Sequence, residues 1–371
     1  MSKKKLFLIL SLTVISMLFF VACGNDDDDD NGTGTPQVPA AQPGAAGTGE
    51  ADAGETGAGE TPELPTRVAA IGARDVNDRF IFATGGVAGT YYPLGGAMAT
   101  VINNHTGLNV TITSTGASVD NIQQIGMGDA DIAIVQNDVM YFGFTGTSMW
   151  GERPQITNMG TLMSLYPETV QIVVLADSDI NSVNDLAGQR VSVGALGSGV
   201  NANASQVLAA YGLTFDDINE FHLNFADSAA AMQDFNLDAF FVTASTPNTA
   251  VQELSRNRDL RIIPISASGA ATLMSNYAFY VPITITADDG YDFVTEPIET
   301  VAVQATLIAS LDTVSNDAAF EIVRALIQNQ PEVAIGHARG AYISVENAIQ
   351  SISVPFHPGA LQFFQEAGVL D

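Results

Sequence analysis

The chain has 371 residues, with 41 Asp and Glu against 13 Lys and Arg, a formal net charge of −28 and a single cysteine. So acidic a balance excludes a nucleic-acid-binding footprint, and with all three lysines at positions 3–5 no P-loop can form downstream of them. One cysteine leaves no disulfide, no Cys-ligated zinc site and no catalytic thiol to consider.

Residues 1–22 read as a signal peptide. Lys3, Lys4 and Lys5 precede an apolar run, Leu6 to Val21, of 16 residues, short of the ~20 that a membrane-spanning helix needs. The run ends Phe20-Val21-Ala22-Cys23, similar to a bacterial lipobox with Phe20 in the usual place of Leu. Cys23 is therefore the expected lipidation site, and the lipid the expected link to the membrane. Residues 23–75 open with Asp26 to Asp30 and continue in Gly, Thr, Ala, Pro and Glu. Such a segment buries too little apolar surface to fold, and reads as a tether reaching roughly 40 Å.

The remaining residues carry one device twice. Arg79 to Ala83 reads as a buried strand, followed by the Gly-rich stretch Thr84 to Gly96 and a helix to about Asn104. Glycines allow a sharp turn and close approach to a ligand, and the N–H groups and dipole of a helix start attract anions. A strand at Asn109 to Thr113 leads through Thr115 to Ser118, a good N-cap for the helix Val119 to Met127. Asp129-Ala130-Asp131 then enters an apolar strand, Ile132 to Val135, that ends in Gln136-Asn137-Asp138. Polar residues at a strand's C-terminal end are where open α/β sheets bind ligands.

After a strand at Thr169 to Leu175, the order recurs. Arg190 to Val193 leads into Gly194 to Gly199 and a helix. A second helix, Asp238-Ala239, the strand Phe240 to Val242 and the polar loop Thr243 to Pro247 follow. The spacing from Gly-rich loop to Asp turn is 42 positions in the first half (Gly89 to Asp131) and 39 in the second (Gly199 to Asp238). The expected architecture is α/β, with two lobes of related topology facing a shared cleft. Lobe I takes 76–177 and 290–371, lobe II takes 178–289, and the two crossings near 177 and 290 act as the hinge. Helix starts after Thr90, Ala117, Gly199 and Thr246 converge on the cleft, with Tyr91, Tyr92 and Tyr166 as walls. The expected ligand contacts are Gly89, Thr90, Tyr91, Tyr92, Thr115, Ser118, Gln136, Asn137, Ser198, Gly199, Ser245 and Thr246. No Arg lies in these loops, so a small carboxylate would be held by N–H groups and hydroxyls.

The stretches ATGGVAGTYYPLGGAMATVIN, TSTGASVDNIQQIGMGDADIAIVQND, DLAGQRVSVGALGSG and DAFFVTAST resemble the TAXI family, the TRAP-associated extracytoplasmic immunogenic proteins. The resemblance covers Asp78 to Asp371. It implies a periplasmic-binding-protein fold of type II that closes on glutamate or a related amino or organic acid and delivers it to a TRAP-type membrane permease. Three positions depart from the family pattern. Val200 and Asn201 stand where Thr and Glu are usual, which removes a hydroxyl beside Ser198, and Ala244 stands for a Gly.

An enzyme is disfavoured. His105, His222, His337 and His357 fall outside the cleft loops, and no G-x-S-x-G, H-E-x-x-H or Cys/His zinc pattern occurs. No cofactor or metal is called for, and the chain is expected to be monomeric. A ligand sensor serving a separate membrane receptor remains the alternative to transport.

Overall fold

The structure, a computed structural model, describes residues 79–371. The signal segment 1–22, Cys23 and the linker to 75 lie outside the described residues.

The first half runs β1 (Arg79–Ala83), α1 (Tyr91–His105), β2 (Asn109–Thr113), α2 (Ser118–Met127), β3 (Ile132–Gln136) and α3 (Asn137–Thr145). A long strand, β4 (Met159–Leu175), carries the chain onward. The second half runs β5 (Arg190–Ser192), α4 (Gly199–Ala210), β6 (Asn219–Phe221), α5 (Phe225–Gln233), β7 (Ala239–Ala244), α6 (Thr249–Ser255), β8 (Leu260–Ile263), α7 (Ala267–Asn276) and β9 (Val281–Ile285). The return is β10 (Ile298–Ser310), followed by α8 (Asn316–Gln328), α9 (Gln330–Gly336), α10 (Val345–Ala348) and α11 (Pro358–Glu366).

The main strand order is β2-β1-β3-β10-β4-β7-β5-β6, and it reads nearly the same from either end. β1 pairs in parallel with β2 and β3, and β5 in parallel with β6 and β7. Antiparallel β10 and β4 join the two triplets. Helices cover both faces of each triplet, as a parallel sheet requires. On the β1 triplet, Leu94, Ile102, Phe320 and Phe363 fill one face, and Ile122, Val139 and Trp150 the other. On the β5 triplet the two faces are filled around Val207 and Leu273, and around Met232 and Val251. The molecule is an α/β fold in two halves of matching topology, each with its own core, as the sequence suggests. Among the described residues no helix is long and apolar enough to cross a membrane.

The two Asp turns noted in the sequence do the same structural job. Asp131 Oδ2 accepts the Ile81 N–H at 2.7 Å, while its own N–H donates to the Ile81 carbonyl at 2.9 Å. Asp238 Oδ2 accepts the Arg190 N–H at 2.8 Å, and its N–H donates to the Arg190 carbonyl at 2.9 Å. Each carboxylate thus extends the pairing between the entering strand and the third strand of its triplet. The Arg190 guanidinium adds two bonds to Asp238, of 3.0 and 2.7 Å, and holds that carboxyl below its ordinary pKa.

β4 is far longer than the strand at Thr169 to Leu175 that the sequence suggests. Its first half was hidden by Pro167, since proline in a central strand normally argues against a strand. The ladder accommodates it with a bulge, where the β10 register shifts between Gln304 and Thr306 opposite Pro167 and Ser164. Residues before the bulge pack in the first lobe and Val170, Ile172 and Val174 in the second. On the return, Val301 and Val303 belong to the second core and Ala305 and Leu307 to the first. We therefore place the passage between lobes inside these two strands, near Glu168 and Gln304, rather than at 177 and 290.

Candidate functional site

A cavity of about 420 Å³ lies where the two triplets face each other. The first Gly-rich loop, Gly85 to Gly89, forms one side of its lining, and Ser114 to Ser118 continues it. Gly194, Ala195, Ser198, Gly199 and Val200 supply the opposite side. The two Gly loops work differently. In the second, Gly194 (φ +85°) and Gly197 (φ +79°) occupy the left-handed region that residues with a Cβ avoid. In the first, the need is closeness: a Cβ on Gly95 would stand 2.6 Å from Thr84 Cγ2, so α1 packs directly under the loop.

Of the expected contacts, Gly89, Thr90, Tyr91, Thr115, Ser118, Gln136, Ser198 and Gly199 line the cavity. Four do not. Tyr92, one position beyond Tyr91 on α1, points about 100° away from it and is half-buried elsewhere. Asn137 is committed to its own lobe, where its Oδ1 accepts the Gln304 N–H at 3.1 Å. Ser245 Oγ shares a hydrogen bond of 2.8 Å with Thr90 Oγ1. Thr246 Oγ1 donates to Asp289 Oδ1 at 3.3 Å, and its carbonyl accepts from Arg339. Ser245 and Thr246 thus latch the lobes together beside the cavity instead of facing it. Tyr166, expected as a wall, is fully buried behind it.

Three of the four expected helix starts, those of α1, α2 and α4, reach the cavity. The helix after Thr246 does not: its Asn248 side chain already accepts the Ala250 and Val251 N–H groups. The fourth start comes from α5, whose Asn224, Phe225, Ala226 and Asp227 line the cavity. The sequence reading missed it, although Asn224 followed by Asp227 is a capping signal; Asn224 Oδ1 accepts the Asp227 N–H at 3.0 Å. None of the lining residues is Arg, Lys or His. Among the described residues no group of His, Cys, Asp and Glu could hold a metal ion.

Several lining hydroxyls are already engaged. Ser118 Oγ accepts the Gln136 N–H at 3.0 Å, and Thr115 Oγ1 donates to the Thr84 carbonyl at 3.1 Å. Across the cleft, Val119 N–H donates to the Gly197 carbonyl at 3.0 Å. The backbone N–H groups of the helix starts are the main donors that remain, since the first turn of a helix has no intrahelical acceptors for them.

The least expected lining residue is Glu168. It is 2% exposed and sits at the β4 bulge, where Tyr91 Oη donates to Oε2 at 2.7 Å and Tyr166 Oη to Oε1 at 3.3 Å. Burial raises its pKa to about 8; the hydrogen bonds from Tyr91, Tyr166 and Gln136 pull the other way, and Asp138 adds to the rise. Asp138, beneath it, is raised to about 6, again chiefly by burial. A signal for Glu168 was present: β4 spans 17 residues with one charged side chain, in a chain that carries 41 acidic residues.

The sign of the resulting pH dependence is fixed. A carboxyl with a raised folded pKa binds a proton that the unfolded chain has lost, so stability falls as pH rises toward 8. His337 and His357, both lowered by burial, act only below about pH 6.5. Asp138 acts below 6. Between pH 6.5 and 8 the ligand-free protein is therefore expected to lose on the order of 2 kcal/mol through Glu168. Urea titrations across that range should show the slope, and Glu168→Gln should flatten it. An equal slope in the variant would contradict the assignment.

The fold is similar to solved periplasmic binding proteins. One is BugD, at 12% identity over 78% of this chain and 96% of that chain, with a TM-score of 0.49. Another is the periplasmic aliphatic sulphonate binding protein SsuA from Escherichia coli, at 15% identity over 78% and 83%, with a TM-score of 0.45. The substrate binding protein of an amino acid ABC transporter is similar at 15% identity over 70% and 96%, with a TM-score of 0.40. The pattern of the NMT1-like family matches residues 82–368, a span that takes in both lobes and the whole cavity lining, and the chain belongs to that family.

Proposed function

We propose that this is an extracytoplasmic solute-binding protein. It captures a small carboxylate, an amino or organic acid, between its lobes and delivers it to a TRAP-type membrane permease. The observation that carries the reading is the convergence of four helix starts, from both halves of a duplicated topology, on one cavity of about 420 Å³. A carboxylate held there answers to N–H groups and helix dipoles, each worth roughly 0.3–1 kcal/mol, and needs no arginine. Those local dipoles act against a chain of net charge −28, so added salt, which screens the distant charges more than the near ones, is expected to favour capture. The resemblance to TAXI proteins supports the permease as partner.

A thermal-shift screen over amino and organic acids tests the reading. A ligand at 100 times its dissociation constant stabilises the fold by about 2.7 kcal/mol. Stabilisation by neutral sugars alone, with no carboxylate active, would overturn it.

The same proposal places the mature chain on the membrane through lipidated Cys23, with residues to 75 as tether. Cys23→Ala is expected to leave the precursor uncleaved or release the protein from the membrane fraction. Normal processing with unchanged attachment would rule lipidation out.

A further inference from the structure

The inner wall of the cavity is built of acceptors. Glu168 presents a carboxyl there, and Gln136 and Thr243, also part of the lining, are 2% and 3% exposed. Gln136 Oε1 and Thr243 Oγ1 are buried without a hydrogen-bond partner. Gln136 comes from the end of β3, Glu168 from β4 and Thr243 from β7, in which Thr243 pairs with Val170. β4 and β7 are neighbours, and β3 lies across β10 from β4, so the three residues meet at the seam between the lobes. Buried polar atoms without partners destabilise a fold, and a ligand that bonds to them recovers that loss.

We propose that Glu168, Gln136 and Thr243 form a cation-accepting subsite in which a primary ammonium of the ligand takes the place of the Glu168 proton. The proposal rests on the preceding reading that a carboxylate enters the cavity, and adds that the ligand carries an amine beside it. The exchange balances in charge and atoms. A neutral Glu168 carboxyl and an incoming R–NH₃⁺ become a carboxylate–ammonium pair, and the displaced proton passes to the buffer.

The groups facing Glu168 favour this exchange. Tyr91 from α1 and Tyr166 from β4 donate to it, Gln136 from β3 adjoins it, and Asp138 from α3 adds a like charge. Arg339 acts on Tyr166 and is not among the groups that shift Glu168. No lining side chain supplies a positive charge, so an ammonium is the missing counter-charge. Asp227, also in the lining, is exposed and engaged with Asn224 Nδ2 at 2.7 Å. The empty site holds its proton up to about pH 8, which sets the range in which the exchange is visible.

The test is calorimetry on matched pairs that differ only in the amine: L-glutamate against glutarate, and L-leucine against 4-methylpentanoate. The expected results are at least 100-fold tighter binding of the amine-bearing member of whichever pair binds, and nearly one proton released per ligand at pH 7, read from two buffers of different ionisation enthalpy. The affinity for that member should fall roughly 50-fold from pH 8 to pH 6. Glu168→Gln should abolish both the amine preference and the proton release. Thr243→Val should weaken the amine-bearing member several-fold, spare the matched acid and leave the pH profile unchanged, whereas a merely structural role would weaken both members alike. Equal affinity within a pair with no proton released overturns the subsite, as does binding that requires sodium ions and ignores the amine. If Glu168→Gln fails to fold, the wild-type proton count and pair comparison still decide. A failure of both members of both pairs, and of every other carboxylate, defeats the carboxylate reading as well; equal binding within a pair defeats only the subsite.

Discussion

Gly199→Ala is expected to weaken ligand binding by one to two orders of magnitude while leaving the fold nearly as stable as wild type. Gly199 opens α4 in the second lobe, and a Cβ placed on it would lie 1.7 Å from Gln136 Oε1 and 2.3 Å from Gln136 Cδ. Gln136 belongs to β3 in the first lobe, so the clash spans the cleft. Two responses can relieve it. The lobes can separate, or the Gln136 amide, buried and part of the cavity lining, can turn away from its place. Either spoils the closed site, and neither disturbs the interior of a lobe. A ten- to hundredfold rise in Kd corresponds to about 1.4–2.7 kcal/mol, whereas the melting temperature should move little, because opening relieves the clash. Calorimetry and thermal denaturation on the same sample separate the two effects. An unchanged Kd would mean that Gly199 and Gln136 do not meet in the bound state.

The largest loss of stability is expected at the other end of the molecule. Gly359 stands in the first turn of α11, and an added Cβ would lie 1.9 Å from the Asn316 carbonyl oxygen and 2.7 Å from its carbon. These are backbone atoms at the start of α8, so no side chain can swing aside. The two helices are fixed against each other by Phe320 and Phe363, whose rings meet edge to face at 5.5 Å. His357 holds the junction: its Nε2 donates to the Val314 carbonyl at 3.0 Å and its Nδ1 accepts the Gly359 N–H at 3.2 Å. Gly359→Ala must therefore push α11 off α8, and should cost about 3 kcal/mol or more, the upper end of overpacking penalties. Gly86→Ala is the control, since its Cβ would meet nothing within 4 Å, and should stay within about 0.5 kcal/mol of wild type. Urea denaturation of the two variants reads the difference; equal midpoints would contradict the packing described.

The duplicated topology was legible because its signals are local. Gly-rich loops and the Asp131 and Asp238 turns mark the same points in both halves, and the structure gives both aspartates the same bonds. The parts that escaped are those that depend on distant partners. β4 was read only from Thr169 because Pro167 breaks the strand pattern, and the bulge in β4 that accommodates it forms against β10, well over a hundred residues later. Ser245 and Thr246 look like ligand donors in sequence, but their partners, Thr90, Asp289 and Arg339, come from other elements. Glu168 escaped for the same reason: a buried acid follows no periodicity, and its role is set by tyrosines and glutamine from three elements.

Two lobes hinged within β4 and β10 are expected to close on a ligand held between them. A ligand that touches both lobes favours closure by its additional contacts there, and by no more than that difference. Small-angle scattering of the mature protein, with and without a ligand whose saturation has been established by calorimetry, measures this directly. The radius of gyration should fall on ligand addition in the wild type and stay near the ligand-free value in a Ser198→Trp variant, whose bulk would prop the cleft open. An unchanged radius in the wild type at proven saturation, or full compaction of Ser198→Trp, would contradict the account.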